Sequence, residues 1–417
     1  METEIIETGP QTMPSKISPP VINVGIWFEA PFDYSGGLNY IHNLLYALAQ
    51  VNDGSVQPYI FFAYDVKDNI ERKFSPYAIV VRTKLLQRHT ALWLAHKLIE
   101  RVFGVMPLFK ALLKSHRIDV LSHAWFVCKG RMPFRILGWI PDFQYLHLPE
   151  FFPNIDPLKV TRKWQNVIAQ SDLVILSSNN ALQDFKRVAL LEHHSRGRVL
   201  QFISQPATVA PSSESNLESI RRKYGFSGKY FHLPNQFWAH KNHFVVLQAV
   251  NWLKQSGVEV QVLCTGNIKD YRNGTIYFDQ LCEFIEANDL QRNIRILGLI
   301  DYCDVLFLMR NSIAVLNPSR FEGWSSSVEE AKSMGKPIVL SNIDTHVEQD
   351  PSNGYYFELN DYLALAKILA ELWVTPDNTP HAVIEETAAK ELRERTLAFG
   401  NRFLHMLVST AGDQTQP

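Results

Sequence analysis

The chain has 417 residues, 46% hydrophobic and 20% charged, with a formal net charge of -1 at pH 7. That length accommodates two domains, each with its own core, and the composition excludes a disordered or fibrous chain. The balanced charge gives no whole-chain field pointing to nucleic acid. Cys128, Cys264, Cys282 and Cys303 are scattered without a CxxC pair, which argues against a disulfide framework or zinc site and suits a reducing compartment.

Residues 1–20, METEIIETGPQTMPSKISPP, are acidic, polar and proline-rich and lack the basic start and apolar centre of a signal peptide, so a disordered arm is expected. No apolar run is long enough to cross a bilayer. The best candidate, HTALWLAHKLIERVFGVMPLFKALL, is interrupted by Lys97, Glu100, Arg101 and Lys110, and a cytoplasmic protein is expected. Over 21–203 the runs VINVGIWF (21–28), YIFFAY (59–64), AIVVRT (78–83), IDVLSHAWF (118–126), ILGWIPD (136–142) and LVILSS (173–178) predict strands. Helical spacings such as Leu38, Ile41, Leu45 and Leu48 lie between them, the βαβα pattern of a parallel sheet covered on both faces. Residues 204–228 open on SQPATVAPSSESN, without periodicity, and predict a linker. The alternation restarts over 229–380 with YFHLPN (230–235), VEVQVLCTG (258–266), IRILG (294–298), SIAVLNPS (312–319) and PIVLSN (337–342). Residues 381–410 predict a last helix positioned to fold back across the domains. Two doubly wound domains in tandem put the ligand site in the cleft beyond the carboxyl ends of their strands.

The stretch PSRFEGWSSSVEEAKSMGKPIVLS (318–341) carries the most chemistry. SIAVLNPS is a buried strand and VEEAKSM a helix stopped by Gly335, so FEGWSSS is the strand-to-helix turn at the ligand end of the sheet. A helix N-terminus offers free N–H groups and partial positive charge, and small residues there let a phosphate approach. Glu322 on the turn and Glu330 about two turns into the helix would each accept paired hydroxyls, as in ribose or a hexose. The plain alternative is an N-cap run, Ser325 to Ser327, with Glu329 or Glu330 completing a capping box.

With its E-x7-E spacing followed by Gly-x-Pro and a strand, this stretch resembles the donor motif of the GT-B retaining glycosyltransferases of family four, the group 1 glycosyl transferases. FHLPNQFWAHKNH (231–243), ILGLIDYCDVLFLMRNS (296–312) and HVEQ (346–349) resemble further family segments, so the likeness covers roughly 225–360, with the first half looser. The resemblance implies an α/β GT-B fold, two tandem Rossmann-like domains facing a central cleft. It implies hexosyl transfer, with retention, from a nucleotide diphosphate sugar to a saccharide or lipid-linked hydroxyl. Glu322 would lie near the donor hexose and Glu330 at the ribose hydroxyls, with Gly323, Trp324, Ser325, Ser326 and Ser327 making turn contacts. Lys241 would clamp the diphosphate and stabilise its developing charge. The base would lie near Gly266 and Leu297. No metal is then required, the sequence offers no metal constellation, and no cofactor is expected beyond the donor, for which GDP-mannose is the first choice.

The chain departs from the family pattern twice. Pro141-Asp142 stands where His-Asp is frequent, which makes His147 a candidate substitute. Asp142, Gln144 and His147 in WIPDFQYLHLPEFFP (139–153) gather polar groups in an aromatic setting suited to a sugar wall; the alternative for His147 is an ordinary core or surface histidine. Asn235, with Gln236 beside it, stands where an arginine often precedes the clamp lysine; both can hydrogen-bond but carry no charge. Gly36 and Gly37 in DYSGGLNYIHNLL (33–45) resemble the family's glycine loop, a tight turn open to a phosphate or acceptor.

Arg82, Lys84, Arg88, Lys97, Arg101, Lys110, Lys114 and Arg117 interleave with Leu, Trp and Phe. Such a surface suits peripheral contact with an anionic membrane; the alternative is a solvated helix face over a core. Surface polysaccharide or lipopolysaccharide assembly is the expected setting, by analogy with relatives. Two rival readings stay open: a GT-B nucleotide-sugar epimerase, and a non-catalytic protein binding a nucleotide sugar or a partner enzyme, which Pro141 and Asn235 keep alive.

Overall fold

The computed structural model describes residues 21–29, 35–126, 128–130, 132–152, 155–205, 214–270, 272, 274–375 and 381–412. The arm expected at 1–20 and residues 206–213 of the expected linker lie outside them. Two parallel sheets form the frame. The first contains β1 (Ile22–Trp27), β2 (Val56–Ala63), β3 (Ile79–Thr83), β4 (Val120–Ala124), β5 (Arg135–Ile140), β6 (Leu173–Leu176) and β7 (Gly197–Val199) in the order β3-β2-β1-β4-β5-β6-β7. The second contains β8 (Phe231–Leu233), β9 (Val262–Thr265), β10 (Ile294–Gly298), β11 (Val315–Asn317), β12 (Ile338–Ser341) and β13 (Gly354–Phe357) in the order β10-β9-β8-β11-β12-β13. Strands covered on both faces read as almost unbroken apolar runs, and VLSH of β4 and IVLS of β12 are buried throughout. In each sheet the strand order reverses at the first strand, with β1 between β2 and β4 and β8 between β9 and β11, and ligands of such sheets lie beyond these points.

The helices of the first half are α1 (Ser35–Val51), α2 (Asp68–Phe74), α3 (Ala91–Phe103), α4 (Pro107–Ser115), α5 (Gln144–His147), α6 (Pro157–Gln170) and α7 (Asn179–Val188). Those of the second half are α8 (Glu214–Tyr224), α9 (His243–Gln255), α10 (Ile276–Ala287), α11 (Tyr302–Asn311), α12 (Ser326–Ser333), α13 (Asp344–Gln349), α14 (Tyr362–Val374) and α15 (His381–Gly412). α15 starts against the second domain, where Arg310 Nε meets Glu385 Oε1 at 2.5 Å, and ends in the first domain's core. There Phe399, Phe403 and Leu407 pack with Leu44, Leu48, Ile60 and Phe62.

Three elements differ from the sequence expectation. α8 forms inside the segment read as linker: its Ile220 and Tyr224, four apart, pack against Phe226 and Tyr230, while the serines before them hide the periodicity. β7 and β13 are short edge strands, each opening on a glycine, and such short runs carry little periodicity. No helix among the described residues is long and apolar enough to cross a membrane.

Candidate functional site

The FEGWSSS turn joins β11 to α12 and rests on a buried polar network. Asn317, the last residue of β11, donates through Nδ2 to Ser325 Oγ (2.7 Å) and Ser327 Oγ (3.2 Å) and accepts from Asn235 Nδ2 (3.2 Å). Ser319 Oγ lies 2.6 Å from Asn317 Oδ1 and 2.7 Å from Glu322 Oε1. Gln349 of α13 accepts from Ser325 N–H (3.2 Å) and donates to the Ser325 carbonyl (3.0 Å). Ser325 therefore spends its hydroxyl on the network, and no side chain caps α12 among the described residues. Neither glutamate closes a capping box. Glu329 meets Arg395 at 2.5 Å, and Glu330 accepts from the Tyr302 hydroxyl at 2.7 Å.

Lys241 ends a single helical turn after β8, and its Nζ meets Glu322 Oε1 at 2.6 Å. Burial pushes the Glu322 carboxyl up, but the Lys241 ammonium and the hydrogen bonds from Lys241 and Ser319 outweigh it and hold it below the ordinary carboxylate range. Burial pushes Glu330 up to about 7, and only the Tyr302 hydroxyl opposes that. Burial also raises Asp142, and Glu322 pushes the same way against the Gln144 N–H, Arg272 and Lys241. The site thus holds one carboxylate shifted towards its ionised form beside its counter-cation, and two carboxyls that burial shifts the other way.

The walls come from both domains. A Cβ on Gly323 would lie 2.6 Å from the Pro141 carbonyl and 2.8 Å from Asp142 Cβ, so glycine alone lets the β11 turn and the segment after β5 touch. Trp324 Nε1 donates to the Phe202 carbonyl (2.9 Å), which docks the indole on the interdomain crossover. His147 stacks on Phe321 at 4.9 Å, while its Nε2 is 2.6 Å from Asp184 Oδ2. Arg272 donates to Gln144 Oε1 (3.0 Å) and lies 3.0 Å from His240 Nδ1. Burial, with Lys241 and Arg272 alongside, pulls His240 well below 6.5, so its ring is the neutral acceptor.

Of the residues singled out in the sequence, Lys241, Glu322, Gly323 and Asp142 come together. Gln144 joins them through Arg272. Asn235 is buried beneath the turn rather than lining the cleft; Gln236 accepts from Asn267 N–H at 2.6 Å. Ser325 and Ser327 are buried in the network, whereas Ser326 is exposed at the start of α12. A Cβ on Gly266 would lie 2.3 Å from the Asn235 carbonyl, so this glycine packs beneath the same site. Leu297 packs beside Leu263 and Leu308. Gly36 and Gly37 lie in the first turn of α1, not in a loop. Sequence reasoning missed Asn317, Gln349, Tyr302 and Arg272. Tyr302 and Gln349 fall in segments singled out by resemblance; Arg272 lies in a polar stretch with no pattern of its own.

Residues 218–390 match the family model described as Glycosyl transferases group 1. Among curated proteins none matches the sequence. A glycosyltransferase from Rickettsia africae ESF-5 superposes with a TM-score of 0.65 at 16% identity, over 94% of this chain and 98% of that one. HepE from Anabaena, in complex with UDP and glucose, gives 0.65 at 15% identity over 93% and 100%. The lipopolysaccharide outer core galactosyltransferase WaaB gives 0.58 at 14% identity over 93% and 99%. At such identities the likeness establishes the fold: the chain is an α/β protein of GT-B architecture.

Proposed function

We propose that the protein is a retaining glycosyltransferase that moves a hexosyl group from a nucleotide diphosphate sugar to a hydroxyl of a saccharide or lipid-linked acceptor. The observation that carries this reading is the Lys241–Glu322 pair beside the uncapped N-terminus of α12, with Glu330 further along the same helix. Lys241 faces the leaving diphosphate, and its attraction grows as the bond from the anomeric carbon to the phosphate oxygen breaks. The acceptor oxygen bonds to that carbon on the face the diphosphate leaves, and the hydroxyl proton passes to a leaving phosphate oxygen. Glu322 orients both Lys241 and the hexose; Glu330 takes the ribose hydroxyls. Asp142, packed against Gly323 from the opposite domain, is a hydrogen-bond partner for a sugar hydroxyl.

The reading involves no cofactor beyond the donor and assigns the phosphate charge to Lys241 rather than to a metal. Mannose from GDP-mannose is the first donor to try, and surface polysaccharide or lipopolysaccharide assembly the setting. Calorimetric titration with GDP, UDP, ADP and their sugars, beside Lys241→Ala and Glu330→Ala, tests it. One base type should bind and both variants should weaken it; a folded protein that binds no nucleotide would sink the reading.

A further inference from the structure

We propose that α3 docks the protein on an anionic lipid surface. A helix packed on a globular protein turns its apolar stripe inward, and α3 does the opposite. Leu94, Leu98 and Val102, four apart along ALWLAHKLIERVF, are 55%, 63% and 61% exposed, with Phe103 at 64%, while His96 on the other side is buried. Single exposed leucines need no explanation; a contiguous stripe marks an interaction surface.

The helix is well fixed. Thr90 accepts from Trp93 N–H at 3.2 Å, and Gly104 ends α3 in the left-handed conformation at φ 69°. Lys97 Nζ meets Glu29 Oε1 at 2.6 Å. Glu29 lies just beyond β1, so α3 stands at the cleft end of the first sheet.

The charge around the stripe selects the occupant. From Lys84 to Arg117 the sequence carries Lys84, Arg88, Lys97, Arg101, Lys110, Lys114 and Arg117 against the single carboxylate Glu100, and Lys97 binds Glu100 at 3.0 Å. Arg101 is exposed on α3, Arg88 precedes the Thr90 cap, and the Lys129 stem lies against Gly104. The surface is narrower than the sequence suggests. Arg82 is ion-paired with Asp68 and Glu71, and Arg117 lies by Asn23 at the far end of β1. A second copy at a two-fold contact would set these cations against each other. An anionic bilayer instead attracts the cations and takes up the apolar stripe. That such docking brings a lipid-linked acceptor to the cleft rests on the transferase reading; the docking itself does not.

Co-sedimentation with vesicles tests it. The full chain should pellet with phosphatidylcholine–phosphatidylglycerol vesicles, less so at raised salt, and stay in solution with phosphatidylcholine alone. Leu98→Glu combined with Val102→Glu should lower the bound fraction about tenfold with the melting temperature unchanged. Should that pair fail to fold, Arg88→Ala with Arg101→Ala and Lys129→Ala should weaken binding at low salt. A wild-type chain left in solution by anionic vesicles, or folded variants that bind as well as wild type, would overturn the proposal. So would loss of a dimer on Leu98→Glu/Val102→Glu with no vesicle binding by wild type. Nucleotide binding, measured on the same samples, reports on the cleft separately: vesicle binding without it keeps the surface and removes the transferase reading.

Discussion

Lys241 and Glu322 stabilise each other as a nearly buried pair, and the loss of either leaves an uncompensated charge. Lys241→Ala is expected to destabilise the fold by about 3 kcal/mol, read from chemical denaturation, and to lower kcat by roughly 10²–10³-fold. Glu330 makes a separate pH prediction. Its folded value, about 7, stands above the ordinary 4.5. Its neutral form therefore contributes stability that is fully present below the unfolded value and lost as pH rises through the folded one. In the free protein, Glu330→Gln should flatten the fall in melting temperature across that interval. Donor affinity should run the other way, strengthening as pH rises through 7, because the ionised carboxylate is the better acceptor for two hydroxyls.

At the scale of elements, α12 is held by what lies beneath its first turn rather than by a cap. Asn317, Asn235 and Gln349 fix Ser325 and Ser327, which leaves the helix N-terminus for an anion. Gly323 then sets how closely this turn meets the segment after β5. Gly323→Ala would drive a methyl group to within 2.6 Å of the Pro141 carbonyl. The two domains would have to separate, and kcat/KM should fall by about 10²-fold for a shift of an ångström. The melting temperature should change far less, since neither core is touched; comparing the two measurements separates misalignment from unfolding.

Across the whole molecule, a few polar contacts and one long helix decide how the halves meet. Glu348 of α13 accepts from Asn179 N–H (2.9 Å to Oε2) and Gln201 Nε2 (2.5 Å to Oε1), so a carboxylate of the second domain sits at the N-terminus of α7 in the first. Glu348→Ala removes what acts as a cap and should cost roughly 1 kcal/mol. It should also loosen closure, raising the radius of gyration in small-angle scattering and the hydrolysis of donor by water. α15 is a different kind of tie. Phe399, Phe403 and Leu407 belong to the first domain's core although they lie at the end of the chain. A chain ending at residue 380 should therefore lose the cooperative unfolding of the first domain, while the second keeps its own transition in calorimetry.

Much of this was legible in the sequence. Buried parallel strands announce themselves as apolar runs, so the tandem βα alternation and the place of the FEGWSSS turn follow from local pattern. The E-x7-E spacing puts Glu322 on the turn and Glu330 on the helix that follows it. Short-range chemistry could not reveal what tertiary contact supplies. α8 was hidden by the serines at its start, and β7 and β13 by their brevity. Asn235 reads as a weakened phosphate ligand until Asn317 and Ser327 are found against it. Trp324 reads only as part of the turn, and the partner of its indole, the Phe202 carbonyl 122 residues away, is invisible in the sequence. Hydrophobic periodicity is written residue by residue along the chain and fixes which elements form. Hydrogen bonds and ion pairs across distant segments depend on where folding carries each partner, so the partners of Lys241, Arg272 and Glu348, and the outward turn of α3, were decided by the tertiary structure alone.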